Sequence, residues 1–244
     1  MGIEANAIEW EVEIPSGSQR LCGILSQPAG AKGVVAFAHG SGSGRFSPRN
    51  QFVAGVLQEA GLATLLLDLL EEDEATIESR DKVFDIPLLA ERLQSAATWL
   101  SQQAATSALR LGYFGASTGA GAALVAAARH PSAVGAVVSR GGRPDLAGDE
   151  LPIVRAPTLL IVGGNDDVVI ELNEQALRLL RCPKQLVIVP GATHLFEEPG
   201  TLEEVARLAK DWFVRHLTVV GAPCREGDQQ LGRRVPRTDM DPQC

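Results

Sequence analysis

Short apolar runs alternate with helix-like segments along most of this 244-residue chain, and this alternation constrains the fold more than any other feature. Runs such as Val34–Ala38 and Ala63–Leu67 are almost wholly apolar, as expected of parallel strands that are buried on both faces. Between them, Ser47 can cap a helix, Pro48 fits its first turn and Gly61 follows its end. The pattern predicts one α/β domain with a mostly parallel sheet covered by helices on both faces.

The remaining elements follow from the same patterns. Between Ile8 and Ile14, apolar residues alternate with glutamates, which predicts a half-exposed antiparallel edge strand. A second strand at 20–25 is followed by turn residues at 27–30, which suggest a hairpin-like return. The other strands are predicted at 109–114, 134–139, 158–162 and 185–189, and the other helices at 87–103, 118–129, 170–180 and 202–217.

The domain is expected to span residues 1–218. Residues 219–244 are rich in Gly, Pro, Arg, Asp and Gln and contain few large apolar groups, so they are predicted to form a flexible tail. The connection at 141–156 is the longest after residue 117, yet it is too short for a large inserted cap domain. The site is therefore expected to be fairly open.

Composition and charge narrow the classes of function. The formal net charge of −8 provides no positive field for nucleic acid or for an anionic membrane. The four cysteines are scattered without C-x-x-C spacing, which indicates neither a disulfide framework nor a zinc site. Residues 1–15 lack the pattern of a secretory signal, and no later stretch is long enough to span a bilayer. We therefore expect a cytoplasmic protein that acts on a small molecule without a metal or other cofactor; a homodimer stays open.

The most informative motif is Gly115-Ala116-Ser117-Thr118-Gly119, a G-x-S-x-G sequence between a predicted strand and a predicted helix. In that setting a sharp turn holds the serine in a strained conformation and projects its hydroxyl beyond the sheet edge. A Gly/Ser-rich turn that only packs a helix against its sheet is the alternative. The strand-before, helix-after context favours Ser117 as a catalytic nucleophile.

A serine nucleophile needs a general base, and in α/β-hydrolases the base follows the nucleophile and the acid along the chain. Downstream of Ser117 the histidines are His130, His194 and His216. His130 is expected to cap the far end of the helix that Ser117 begins, and His216 lies near the end of the last helix. Only His194 lies in a predicted loop at a carboxyl end of the sheet, where parallel α/β folds bind ligands.

The acid should lie on the loop after the preceding strand, where Asp166 and Asp167 are neighbours. Asp166 is the predicted triad acid. Both could instead cap the following helix, which is a common use of aspartate. Of the two, Asp167 is the more natural cap.

The site should also contain donors for a developing oxyanion. The backbone amide of Thr118 follows the nucleophile, and a second amide is expected from Ser41 in the glycine-rich loop after Val34–Ala38. A phosphate cradle is the alternative for this loop, but the loop does not match G-x-x-x-x-G-K-[ST].

Three arginines near predicted carboxyl ends of strands are candidates for binding an acidic substrate: Arg45, Arg49 and Arg140. A guanidinium group can bind such a substrate through charge-assisted hydrogen bonds. The simpler interpretation of each is solvation, or a structural pair with an acidic residue between Asp68 and Glu72.

Several motifs in order are more specific than any one of them. They are His39-Gly40-Ser41-Gly42-Ser43, Ser47-Pro48-Arg49-Asn50, Gly115-Ala116-Ser117-Thr118-Gly119, Ser139-Arg140-Gly141-Gly142-Arg143-Pro144, Gly163-Gly164-Asn165-Asp166 and Gly191-Ala192-Thr193-His194-Leu195-Phe196. With them the chain, from about residue 8 to 217, resembles small α/β-hydrolases of the dienelactone hydrolase-like group. The resemblance implies an eight-stranded α/β-hydrolase fold without a large cap domain, a Ser117-Asp166-His194 triad, and ester or lactone hydrolysis without a metal.

One departure from that group matters for the substrate. Dienelactone hydrolases are built around a cysteine nucleophile, whereas Ser117 occupies the position here, which counts against dienelactone itself. Some similar proteins also carry a phosphoribosyltransferase-like domain, for which this chain is expected to have no room. Two alternatives stay open: a phosphotriesterase or acyltransferase that uses the same triad, and a non-catalytic binding module.

Overall fold

The computed structural model of the protein describes residues 7–40, 42–70, 74 and 80–218. The strands are β1 Ile8–Ser16, β2 Gln19–Gln27, β3 Val34–Ala38, β4 Ala63–Leu67, β5 Leu111–Ala116, β6 Val134–Arg140, β7 Thr158–Gly163 and β8 Lys184–Val189. The helices are α1 Pro48–Glu59, α2 Arg80–Val83, α3 Ile86–Gln102, α4 Thr118–Arg129, α5 Asp167–Leu179 and α6 Thr201–Leu217, and a 3-10 segment covers Pro144–Ile153. The predicted tail, residues 219–244, lies outside the described residues.

One eight-stranded sheet runs in the order β1-β2-β4-β3-β5-β6-β7-β8. β1 and β2 form an antiparallel hairpin, and β2 pairs antiparallel with β4. All pairs from β4 through β8 are parallel. The predicted mostly parallel α/β sheet is confirmed.

The hairpin-like return suggested at residues 27–30 is wrong. The strand that follows this turn, β3, does not pair with β2, because both of its edges are occupied by β4 and β5. Every residue of β3 is buried, and a wholly apolar strand is stabilised in the interior of a sheet rather than at its edge. The true hairpin turn of this region joins β1 to β2, where Gly17 has a φ of 60°.

Helices cover the sheet on both faces. On one face α1 and α6 bury an apolar cluster that includes Phe37, Phe114 and Phe213. On the other face α3 and α4 pack over Leu65 and Tyr113, and the same cluster extends under the 3-10 segment and α5. Burial from both sides explains why the central strands are continuous apolar runs rather than alternating ones.

Two elements begin two or more residues away from their predicted starts. The strand predicted at 109–114 begins two residues later, because the amide of Leu109 bonds the Thr106 carbonyl in a turn. It then continues to Ala116, which pairs with Arg140. The helix predicted from residue 170 begins at Asp167, and α2 and the 3-10 segment were not predicted at all.

The connection at 141–156 contains the 3-10 segment, which packs against α4 and α5. Gly148 interrupts this segment with a φ of 49°. Within the described ranges no large cap domain covers the carboxyl edge of the sheet, in agreement with the prediction.

Candidate active site

Ser117 lies between β5 and α4, at the carboxyl edge of the parallel strands. Its backbone has a φ of 50° and a ψ of −125°, and only one other non-glycine residue in the described part of the chain, Phe196, has a positive φ. A non-glycine residue adopts such a conformation at an energetic cost, which is typical of a nucleophile elbow. Ser117 occupies the N-cap position of α4, yet its side chain makes no capping hydrogen bond. The hydroxyl is therefore available for chemistry.

The two glycines of the motif allow close approach of backbone to backbone. A Cβ on Gly119 would lie 2.2 Å from the carbonyl oxygen of Ala38, and one on Gly115 would lie 2.5 Å from the Cα of Ala120. Neither contact can be relieved by a side-chain rotation, because the opposing atoms belong to the main chain. G-x-S-x-G is thus required by packing as well as by the turn.

His194, on the loop after β8, is paired with Asp166, on the loop after β7. The Nδ1 atom of the imidazole lies 2.7 Å from Oδ2 of the carboxylate. A carboxylate accepts hydrogen bonds, so Nδ1 donates and the other ring nitrogen, Nε2, is left as an acceptor. This is the tautomer in which a histidine can take a proton from a serine hydroxyl.

The neighbouring aspartate has a different place. Asp167 is the first residue of α5, where its negative charge is favourable beside the helix N-terminus. The expectation that Asp167 is the cap is wrong, because the helix predicted from residue 170 begins at Asp167 and so puts Asp166 at the N-cap position. The Asp166 side chain makes no capping bond, since its carboxylate is directed to His194 instead.

The other two downstream histidines lie away from this pair. His130 is the C-cap of α4, at the opposite end of the helix from Ser117, as expected. His216 lies in the last turn of α6, with its ring centroid 4.6 Å from that of Trp212. Neither of them lines the pocket that contains Ser117.

A small pocket joins the predicted nucleophile and base. Its volume is about 50 Å³. It is lined by Gly40, Ser43, Arg49, Ala116, Ser117, Arg140, Gly141, His194 and Leu195. The loops after β3, β5, β6 and β8 therefore meet at one place on the carboxyl edge of the sheet.

Of the two predicted oxyanion donors, Thr118 lies among the described residues. Thr118 is the first residue of α4 and is buried, and its amide belongs to the first turn, where no helical carbonyl is available to accept it. Ser41 lies outside the described residues. Its neighbour Gly40 does approach the nucleophile, since a Cβ there would lie 2.8 Å from the Cβ of Ser117.

His39 anchors the loop that contains Gly40. The ring is buried; Nδ1 lies 2.8 Å from the Gly40 carbonyl oxygen, and Nε2 lies 2.7 Å from the Leu69 amide nitrogen. The first contact offers only an acceptor and the second only a donor, so the neutral ring protonated on Nδ1 satisfies both. Burial lowers the pKa of His39, against the opposing effects of the Gly40 carbonyl and the Asp68 carboxylate.

The three candidate arginines are used in different ways. Arg45 forms an ion pair with Asp68 and also donates its amide to that carboxylate at 2.6 Å, and it does not line the pocket. Arg49 and Arg140 both line it. Arg49 bonds the exposed carboxylate of Glu197 at 3.2 Å, whereas Arg140, only 7% exposed, has no carboxylate partner among the described residues.

The chain is also similar to proteins of a known family. The family model described as "Dienelactone hydrolase family" matches residues 27–221. The chain belongs to the dienelactone hydrolase family. A solved structure of a dienelactone hydrolase from Anabaena variabilis is 59% identical and covers 86% of this chain and 99% of its own, with a TM-score of 0.84.

More distant structures share the fold of this dienelactone hydrolase family member. The Butyrivibrio proteoclasticus protein Est1E is 15% identical, covers 84% of this chain and 98% of its own, and has a TM-score of 0.72. A metagenomic protein described as a dienelactone hydrolase-like promiscuous phosphotriesterase is 19% identical, covers 86% of this chain and 99% of its own, and has a TM-score of 0.71.

A curated relative is longer than this family member. The Mycobacterium tuberculosis protein named "Putative phosphoribosyl transferase" is 60% identical over 207 residues, which are 85% of this chain and 46% of the relative. The chain thus spans about half the length of that relative. Among the described helices, none combines the length and the apolar character needed to cross a bilayer.

Sequence reasoning missed two features of this dienelactone hydrolase family site. The glycines after His39 drew attention to the loop, but the histidine itself received no role. Its signal was an ionisable residue directly after a wholly buried strand, which must find polar partners inside the protein. The positive φ of Phe196 had no comparable signal, since a bulky aromatic residue rarely adopts that conformation.

Proposed function

We propose that this protein is a serine hydrolase that cleaves carboxylic esters or lactones through an acyl-enzyme on Ser117. One arrangement carries the proposal: a strained serine with an uncommitted hydroxyl lines the same pocket as His194, whose Nδ1 is held by Asp166. Membership of the dienelactone hydrolase family supports hydrolysis as the reaction class.

In the proposed reaction, Nε2 of His194 removes the Ser117 proton as the hydroxyl oxygen attacks the ester carbonyl carbon. Asp166 stabilises the imidazolium that forms. The tetrahedral oxyanion accepts hydrogen bonds from the amides of Thr118 and Ser41. His194 then returns the proton to the departing alcohol and the acyl-enzyme remains.

The second half of the reaction reverses these roles. His194 removes a proton from water, which attacks the acyl carbon, and the carboxylic acid leaves as Ser117 regains its proton. The chain's own residues supply every proton-transfer group in both halves. A small-molecule ester with a short group near the reacting carbonyl is the proposed substrate, because the pocket is only about 50 Å³.

The test compares the native protein with Ser117→Ala on 4-nitrophenyl acetate and butyrate. We expect native turnover, and a loss of about a thousandfold or more in kcat for the variant. A fluorophosphonate should label the native protein at Ser117 and leave the variant unlabelled. Hydrolysis by the alanine variant at the native rate would contradict the proposal, and absence of both turnover and labelling would favour a binding module.

The neighbouring aspartates provide a matched pair within the same experiment. Asp166→Asn should lower kcat by about a hundredfold or more, because an amide cannot both fix the Nδ1–H tautomer and stabilise the imidazolium. Asp167→Asn removes an equal charge one residue away, from a helix terminus rather than from His194, and should leave kcat within about twofold. Equal losses for the two variants would assign the effect to the helix and not to a triad.

A further inference from the structure

Arg140 is the last residue of β6 and the least satisfied charged group in the pocket of Ser117. Its side chain is buried, and its Nε atom has no hydrogen-bond partner in the part of the chain that the structure describes. Among the described residues its one hydrogen bond runs from Nη2 to the Asn50 side-chain oxygen at 3.5 Å, the outer limit of such a contact. The centre of its guanidinium lies 6.0 Å from the centroid of Phe196, again at the limit of a cation–π interaction.

A second arginine adds positive charge to the same pocket. Arg49 lines the same pocket, and its Nε atom is also buried without a partner from the described ranges. Burial and, to a smaller extent, the adjacent positive charge of Arg49 together lower the pKa of Arg140 to about 10. At neutral pH the group is still charged, so the protein holds two guanidinium groups together at one small pocket.

Within the described part of the chain, carboxylates offset little of this positive charge. Glu197 partly neutralises Arg49, but that carboxylate is largely exposed, and within the described ranges no acidic side chain pairs with Arg140. A buried charge without a partner is strongly unfavourable. The described residues that line the pocket thus include two guanidinium groups and no carboxylate, beside the nucleophile.

We propose that Arg140, with Arg49 beside it, binds a single anionic group of the ester substrate. The planar fork of a guanidinium pairs with a carboxylate or a phosphate through two parallel hydrogen bonds. The free Nε of Arg140 is one of the donors that such a pairing requires. This inference rests on the proposed ester hydrolysis at Ser117 and specifies which esters the site prefers.

The size of the pocket limits where the anion lies. Ser117 and Arg140 both line this pocket of about 50 Å³, so an anion bound to Arg140 lies close to the nucleophile. The anionic group and the reacting carbonyl must therefore be separated by only a few bonds. A half-ester of a short dicarboxylic acid, or a short ester of a hydroxy acid, meets this requirement.

The experiment uses pairs of esters that differ only in whether the acid is free or methyl-capped. Monomethyl succinate against dimethyl succinate places the charge on the acyl side. Acetoxyacetate against its methyl ester places the charge on the alcohol side. In at least one pair, the free acid should have a kcat/KM about tenfold or more above that of its capped partner.

Substitutions then assign that preference to Arg140. Arg140→Met should reduce the preference to about one, and Arg140→Lys should retain part of it, because lysine keeps the charge without the planar fork. Arg207→Met is the matched control: Arg207 is an exposed arginine on α6, paired with Glu204 and Asp211, and its loss should not change the preference. Circular dichroism and thermal melting verify that each variant is folded.

A measurement on Ser117→Ala keeps the proposal testable if the Arg140 variants do not fold. In that variant, benzoate and phenyl phosphate should bind in calorimetry in competition with a 4-nitrophenyl ester analogue, and the tighter of the two identifies the anion. If capped esters are hydrolysed but neither free acid is preferred and neither anion binds, the inference is wrong while ester hydrolysis stands. If no ester of either kind is hydrolysed, the proposed function itself fails.

Discussion

The two ends of α4 lie at opposite edges of the sheet, and the cavities at these two edges differ in size and in the side chains that line them. At its N-terminus, Ser117 faces a pocket of about 50 Å³. At its C-terminus, His130 lines a cavity of about 230 Å³ between the first residues of β3 and β5. The larger cavity is not the one that gathers the predicted catalytic groups, so volume is a poor guide to function here.

Backbone direction explains the difference. In a parallel sheet every strand delivers its following loop to the same edge, and every helix returns with its N-terminal amides at that edge. The carboxyl edge therefore collects Ser117, Asp166 and His194 from separate loops. The opposite edge collects helix C-termini, whose carbonyls repel a developing oxyanion.

The two cavities also differ in the charge of the ionisable groups that line them. In the large cavity Tyr113 is the ionisable group of β5, and burial raises its pKa, so it stays neutral. In the small pocket Arg140 stays charged despite its burial. The large cavity thus contains a neutral phenol, whereas the small pocket presents a buried guanidinium group beside a nucleophile.

The strongest test of this comparison replaces one histidine at each edge of the sheet with alanine. His194→Ala should lower kcat by about a thousandfold or more, because Ser117 loses its base. His130→Ala removes the same side chain from the other end of α4 and should leave kcat within about twofold. Steady-state hydrolysis of 4-nitrophenyl butyrate by both variants measures the contrast. Comparable losses would mean that the large cavity contributes to catalysis and that the division between the edges is mistaken.

Glycines at the two edges should also respond differently. A Cβ at Gly119 would meet the Ala38 carbonyl oxygen at 2.2 Å, whereas a Cβ at Gly135, near the amino edge, would meet the flexible side-chain end of Leu217 at 2.8 Å. We expect Gly119→Ala to lower the free energy of unfolding by about 3 kcal/mol, despite the better helix propensity of alanine, and Gly135→Ala by about 1 kcal/mol. Urea unfolding measures both.

The comparison would lose its basis if Gly135→Ala proved the more damaging. That order would show that the packing of α6 against the sheet is tighter than the junction of α4 with β3. Equal and small effects for both would mean that the elbow tolerates a shift of the backbone by several tenths of an ångström.

How far the sequence predicts this site depends on how local each determinant is. The bounds of β3 and β4 match the prediction because a strand buried on both faces is encoded by its own residues. Ser117, Asp166 and His194 could be proposed because each follows a recognisable strand. The pairing of Asp166 with His194 is then a consequence of strand order.

Features that depend on contacts between distant parts of the chain could not be predicted from local sequence patterns. The burial of Arg140 depends on α1, which delivers Asn50 and Arg49 from a distant part of the chain. The same holds for His39, whose Nε2 is satisfied by an amide 30 residues away. The start of α5 is a smaller example of a feature that the sequence does not predict. Two adjacent aspartates are equally suited to precede the helix, and only the pairing of Asp166 with His194 distinguishes them.

The smallest expected effect concerns His39, the buried histidine of the active edge. Because burial lowers its pKa below the ordinary 6.5, the unfolded chain binds a proton there at pH values where the folded protein does not. The free energy of unfolding should therefore fall as the pH decreases from about 6.5, by about 1 kcal/mol per pH unit from this residue, until the folded pKa is reached. Urea unfolding of the native protein and His39→Gln between pH 7.5 and 5.0 isolates this contribution, because His216, whose pKa burial also lowers, is present in both. The glutamine variant should show the shallower dependence, since it loses the proton-sensitive bond to Leu69 but can still donate to one backbone carbonyl. Parallel curves would show that the ring accepts a proton without breaking that bond, and that the loop beside Ser117 is held by other contacts.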